Sequence, residues 1–152
     1  DYLEIQRIRY GNHIDFALTL DERLHNALVP SLLLQTFVEN TIKHGFSFQD
    51  GIVINLSLQK RIVDEKPYIE ICVKDNGPGF SREILSKLKN MESLISEDGH
   101  HIGITNAIER LNLLYSNDYT ITFENNDTSG ARIDVLVPYK ELKGDSNEYT
   151  TR

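Results

Sequence analysis

Twice in this chain one strand pattern follows another with no helix between them. That rules out a fold built by strict βαβ alternation. In the first pair, Ile52, Ile54, Leu56 and Leu58 share one face; then Ile69, Ile71 and Val73 alternate with Tyr68, Glu70, Cys72 and Lys74. The charged, proline-containing stretch Asp64-Glu65-Lys66-Pro67 reads as the exposed hairpin loop joining them. In the second pair, strands over 120–124 and 131–137 flank a turn over 125–130, and Pro138 ends the last one. Hairpins make neighbouring strands antiparallel, so the helices must gather on one side of the sheet. The spacing predicts an α+β fold, a two-layer α/β sandwich whose mixed, largely antiparallel sheet is covered by helices on one face.

The helices follow from the 3.6-residue period. An opening helix spans 2–9, and Gly11-Asn12 turns the chain into a half-buried strand in which Ile14, Phe16, Leu18 and Leu20 alternate with polar or small residues. After a polar connection over 21–26, Pro30 occupies the first turn of a helix that reaches about His44 and stops at Gly45, which reads as a left-handed cap. Leu34, Phe37, Val38, Thr41 and Ile42 form its broad apolar face. Ser81 caps a helix through Ile84, Leu85 and Leu88. Residues 91–101 lack a period and read as a mobile loop. Ile104, Ala107, Ile108, Leu111 and Leu114 then mark a last helix.

Charge and length limit the function classes. A chain of 152 residues with a net charge of −7 lacks the basic surface that nucleic acid or an anionic membrane requires. No stretch approaches the ~20 apolar residues of a membrane span, and no Gly-Lys-Ser/Thr phosphate loop occurs. A single cysteine, Cys72, allows no internal disulfide and suits a reducing compartment. The chain opens directly in a helix, as a piece of a longer protein would.

Chemistry-bearing residues concentrate in three places. Asp75-Asn76-Gly77-Pro78-Gly79-Phe80 lies where a strand stops and a helix starts. Its carboxylate can accept from an exocyclic amine, and its glycines let a flat ring approach the backbone; a plain surface turn has the same composition. On the Pro30 helix, Asn40, Lys43 and His44 fall on one flank within about 100° of arc, with Glu39 just beyond. An amide oxygen suits Mg²⁺ and an ammonium suits phosphate, although such a stripe is also an ordinary solvated flank. The third place is Gly99-His100-His101-Ile102-Gly103-Ile104 at the start of the last helix, where unpaired N–H groups attract phosphate.

These three pieces carry a resemblance. Val38-Glu39-Asn40-Thr41-Ile42-Lys43-His44-Gly45 resembles the N box of sensor histidine kinases, Asp75-Asn76-Gly77-Pro78-Gly79 their G1 box, and Gly99 to Ile104 with the following Thr105-Asn106-Ala107-Ile108-Glu109-Arg110-Leu111 their G2 box and its helix. The opening Tyr2-Leu3-Glu4-Ile5-Gln6-Arg7-Ile8-Arg9-Tyr10-Gly11 and the run from Leu28-Val29-Pro30 to Gln35 are similar to the LytS- and YesM-like membrane-sensor kinases. The resemblance covers nearly all the chain up to Pro138. It implies the Bergerat ATP-binding fold shared with gyrase and mismatch-repair ATPases, with ATP and Mg²⁺ as cofactors.

Carried over, the resemblance makes Asn40 the Mg²⁺ ligand and brings Lys43 to the phosphates, with Glu39 a candidate catalytic base and His44 beside the nucleotide. Asp75 would accept from the adenine amino group, and Gly77, Gly79 and Phe80 would shape the base pocket. Residues 90–101 would be an ATP lid, and His101, Ile102, Gly103 and Ile104 would hold phosphate. His101 stands where the family usually has glycine, and Ile104 where it has leucine.

The implied organisation is a lead-in helix over 1–11, an ATP-binding catalytic domain over 12–139 and a polar, disordered tail over 140–152. Its partners would be ATP, an upstream dimerisation and phospho-acceptor helical domain and, indirectly, a response regulator, with no nucleic acid and no direct membrane contact. The expected setting is the cytoplasmic part of a membrane-anchored kinase. The competing readings are an ATPase of the same fold and a non-catalytic nucleotide-sensing or docking module.

Overall fold

The computed structural model describes residues 2–45, 51–90 and 102–142. Among these residues the order is α1 (Tyr2–Tyr10), β1 (Ile14–Leu20), α2 (Ser31–Gly45), β2 (Ile52–Val63), β3 (Lys66–Asp75), α3 (Arg82–Lys89), α4 (Ile102–Tyr115), β4 (Thr120–Asn125) and β5 (Ala131–Pro138). Short 3-10 turns at Gly11–His13 and Glu22–Leu24 bracket β1.

The strands form one sheet in the order β1-β2-β3-β5-β4. β1 runs parallel to β2, and the other pairings are antiparallel. Because side chains alternate along a strand, register decides which ones meet. One row crosses the sheet from Leu18 through Leu56, Val73 and Ile133 to Phe123. All of that row except Leu18 is buried under the helices. Against it α2 buries Leu33, Phe37, Val38, Thr41 and Ile42, while α4 contributes Ile104, Ala107 and Leu111 and α3 contributes Leu88. Phe37 is wholly enclosed, so truncating it to alanine would cost about 3–5 kcal/mol. The opposite face is polar and carries the Arg61–Glu70 and Arg132–Asp134 ion pairs. This is the two-layer, mixed-sheet architecture that the hairpins predicted.

Several local expectations change. The β2–β3 connection shrinks to Asp64-Glu65, with φ of +48° and +66°, and Lys66 and Pro67 join β3. A two-residue turn with both φ positive matches strand twist, so no longer loop is needed. Gly45 is not a left-handed cap: it is the last residue of α2 and lies outside the positive-φ set. A Cβ there would come within 2.6 Å of Ile52 Cδ1, whose side-chain end would have to shift, so the glycine sits in a packing contact. Leu18 and Leu20 are more than half exposed, because β1 is an edge strand that the helical layer only partly covers. Leu114 is exposed at the far end of α4, and Leu33 rather than Leu34 is the buried residue on α2.

Residues 140–142 do not yet belong to a free tail. The Leu28 N–H donates to the Lys140 carbonyl at 2.8 Å and the Leu142 N–H to the Asn26 carbonyl at 2.9 Å. The remainder of that tail, 143–152, lies outside the described residues. Burial, with Asp134 beside it, pushes the Cys72 thiol up to about 11 and keeps it neutral. No helix among the described residues is long and apolar enough to cross a membrane.

Candidate functional site

β3 ends on Asp75, one of the few polar residues in the buried set. Its Oδ1 accepts the Gly77 N–H at 2.8 Å and the Ala131 N–H at 3.2 Å. Oδ2 accepts no hydrogen bond among the described residues. Burial raises the pKa of this carboxyl, and the two N–H donors pull against that shift without cancelling it. A buried acceptor without a donor is costly, so a ligand N–H directed at Oδ2 would relieve the site.

The turn after Asp75 sits directly on the end of α2. A Cβ on Gly77 would lie 3.0 Å from Gly45 Cα and 3.2 Å from the Gly45 carbonyl oxygen, so a side chain at 77 would push the turn away from α2. The contact carries the last turns of α2 to the carboxylate. Asn40, Thr41 and His44 therefore line the same pocket as Asp75. Pro78, Gly79 and Phe80 form its outer wall, and Ala131 and Ile133 of β5 its floor. Gly79 takes a φ of +76°, which glycine adopts without strain. The enclosed part is a slit of about 30 Å³.

Asn40 is half-buried, and its side-chain amide makes no hydrogen bond among the described residues. It faces the first turn of α4, where a Cβ built on Gly103 would lie 3.9 Å from Asn40 Oδ1. An unpaired carboxamide oxygen beside a helix N-terminus fits the hard-oxygen demand of Mg²⁺, which takes its other ligands from phosphate and water. No cluster of three or more histidine, cysteine, aspartate or glutamate side chains among the described residues offers an alternative metal site.

The structure thus brings Asn40, His44, Asp75, Gly79 and Phe80 around one pocket, with Gly77 beneath it and Gly103 at its rim. It separates Glu39 and Lys43 from that group. These two line a neighbouring groove between α1 and α2 together with Gln6, Arg9 and Tyr10. Glu39 Oε1 also accepts from Gln35 Nε2 at 3.0 Å. Residues 39 and 43 sit about 100° and 60° around the helix from Asn40, both on the side away from His44, which turns them toward α1. Ile104 places its side chain in the core, and Ile102 opens α4. His101 and the lid stretch 91–101 lie outside the described residues.

The sequence over 125–130 shows only a turn, yet this segment meets the pocket wall. Asn125 Nδ2 donates to the Phe80 carbonyl at 2.9 Å, and its Oδ1 accepts the Phe80 N–H at 2.7 Å. Asn126 Nδ2 donates to the Asp75 carbonyl at 2.9 Å, and the Ser129 hydroxyl to the Gly77 carbonyl at 2.7 Å. The only local hint was the density of asparagine, serine and glycine, which turns share.

Known proteins share this chain's sequence pattern and its fold. A profile described as histidine kinase-, DNA gyrase B-, and HSP90-like ATPase matches residues 26–141. Sensor histidine kinase YesM of Bacillus subtilis is 30% identical over 138 residues, 90% of this chain and 22% of that protein. Sensor histidine kinase/phosphatase LytS of Staphylococcus aureus strain MRSA252 is 31% identical over 140 residues, 91% of this chain and 23% of that protein. The chain therefore spans under a quarter of the length of these relatives. Among solved structures, the catalytic domain of histidine kinase ThkA superposes with a TM-score of 0.67 at 17% identity, covering 90% of this chain and 86% of that one. Full-length ShkA in complex with AMPPNP gives 0.63 at 18% identity, covering 93% of this chain and 29% of that one. At such identities these two establish likeness of fold.

Proposed function

The chain belongs to the histidine kinase-, DNA gyrase B-, and HSP90-like ATPase family, and from that premise we propose that it is the ATP-binding catalytic domain of a two-component sensor histidine kinase. It binds Mg-ATP and presents the γ-phosphate to a histidine on a separate upstream helical domain, for relay to a response regulator. The working location is the cytoplasmic part of a membrane-anchored sensor.

One observation carries this reading: a buried carboxylate with a free acceptor, Asp75 Oδ2, and an unpaired amide, Asn40, share one pocket. In this reading Asp75 accepts from the adenine amino group, and Gly77, Gly79 and Phe80 bound the ring. Asn40 holds the Mg²⁺ that neutralises the phosphates, and the N–H groups from Ile102 to Ile104 take a phosphate oxygen, with His44 and His101 flanking. Lys43 reaches the phosphate end from the rim by swinging its four-carbon stem, and Glu39 stands on the side where an acceptor would arrive. Catalysis is then mostly positioning and charge neutralisation, as phosphoryl transfer requires.

Phosphotransfer is favoured over hydrolysis by the position one turn before Asn40. A water-activating glutamate would suit that place; Thr36 stands there, its hydroxyl donating to the Leu32 carbonyl at 2.8 Å. The test mixes this chain with its upstream helical domain and γ-labelled ATP. Label should appear on histidine and be lost with Asn40→Ala; unchanged labelling in that variant would refute the Mg²⁺ role.

A further inference from the structure

The tip of the β4–β5 hairpin is bound to the outer wall of the pocket at points far apart in sequence. Asn125 brackets Phe80, accepting its N–H and donating to its carbonyl, a contact across 45 residues. Ser129 donates to the Gly77 carbonyl across 52 residues, and Asn126 to the Asp75 carbonyl across 51. The Phe80 ring meets Phe123 of β4 edge-on, with centroids 6.1 Å apart. Gly79 is held as closely: a Cβ there would sit 2.7 Å from Asn125 Oδ1. Every residue of the wall from Gly77 to Phe80, Pro78 aside, is thus placed by the hairpin. Neither Asn125 nor Ser129 lines the pocket itself.

We infer that Asn125 and Ser129 are positioning residues for base recognition: they hold the Gly77–Phe80 wall at the spacing a purine needs above Asp75, without touching nucleotide. The slit is only about 30 Å³, so a small drift of that wall changes whether a flat ring can seat against Oδ2. A wall held in place before binding leaves less ordering to be done on binding, and affinity rises accordingly. The inference rests on the reading that this pocket takes adenine.

The test compares Asn125→Ala, Ser129→Ala and Ser129→Thr with the unaltered chain. Calorimetric titration measures Mg-ATP and Mg-inosine triphosphate, which lacks the amino group that Asp75 would bind. Amide exchange at Gly77, Gly79 and Phe80 is followed without nucleotide. Asn125→Ala should weaken Mg-ATP roughly 25-fold and Ser129→Ala roughly fivefold, the worth of two bonds and one. Inosine triphosphate should weaken much less, exchange along the wall should quicken, and Ser129→Thr, which keeps the hydroxyl, should bind like the unaltered chain. Wild-type ATP affinity in both alanine variants, or equal loss for both nucleotides, would overturn the inference while leaving the pocket's assignment intact. An unaltered chain that binds no Mg-ATP would overturn that assignment and this inference together.

Discussion

The Ala131 N–H donates to Asp75 Oδ1 at 3.2 Å, joining the first residue of β5 to the last of β3 across 56 positions of chain. With the Gly77 N–H on the same oxygen, it orients the carboxylate so that Oδ2 is the atom left for a ligand. The oxygen that ties the fold together is therefore not the one left open to the pocket.

Replacing that side chain by its amide separates the two. In Asp75→Asn the oxygen can keep both backbone donors, which leaves the NH₂ group facing the pocket. A donor there opposes the adenine amino group and suits a 6-oxo purine. Mg-ATP affinity should fall at least a hundredfold, as when a buried polar recognition site loses its partner, and the preference over inosine triphosphate should invert. Competitive titration of the two nucleotides measures it.

The same carboxyl makes the empty fold pH-sensitive. Its native pKa is raised by burial above the ordinary 3.8. The stability contributed by the neutral form is whole below that value and is lost as pH rises through the native one. Asp75→Asn removes this loss, so its melting temperature should gain on the unaltered chain as pH rises from the ordinary carboxyl value of 3.8 through the raised native one. Thermal melts across that range, without nucleotide, check the sign.

Gly130 cannot be replaced. It has a φ of +98°, and a Cβ would fall 1.8 Å from the Asp75 carbonyl oxygen. Since backbone meets backbone, nothing flexible can yield. Gly130→Ala should lose about 3 kcal/mol or more of stability in chemical denaturation, from strain and overpacking together.

Asn40 and Lys43 should separate in binding assays, because they look out on different grooves. Asn40→Ala should abolish the Mg²⁺ dependence of ATP affinity. Lys43→Ala should keep that dependence and weaken binding only a few-fold, the effect of a flexible surface cation on phosphate. Titrations with and without Mg²⁺ distinguish the two.

Much of this was legible in the chain. The alternation of Ile69, Ile71 and Val73, the Ser81 cap, which accepts the Ile84 N–H at 3.3 Å, and the stripe of Ile104, Ala107 and Leu111 are local signals. Each depends on a period or a neighbour within four residues. The rotation of α2 was not legible: a stripe of about 100° held Asn40, Lys43 and His44 together, and the structure divided it between two grooves. Gly45 misled for a related reason, since a packing glycine and a capping glycine look the same in sequence.

By itself the sequence determined the elements, their order and the sheet's largely antiparallel character, because propensity, periodicity and turn chemistry act over a few residues. Tertiary structure decided which flank of α2 faces Asp75, that Gly45 and Gly77 touch, and that Asn125 and Ser129 reach the pocket wall. Those contacts join residues 31 to 52 positions apart, where no period survives and only the closed sheet brings them together.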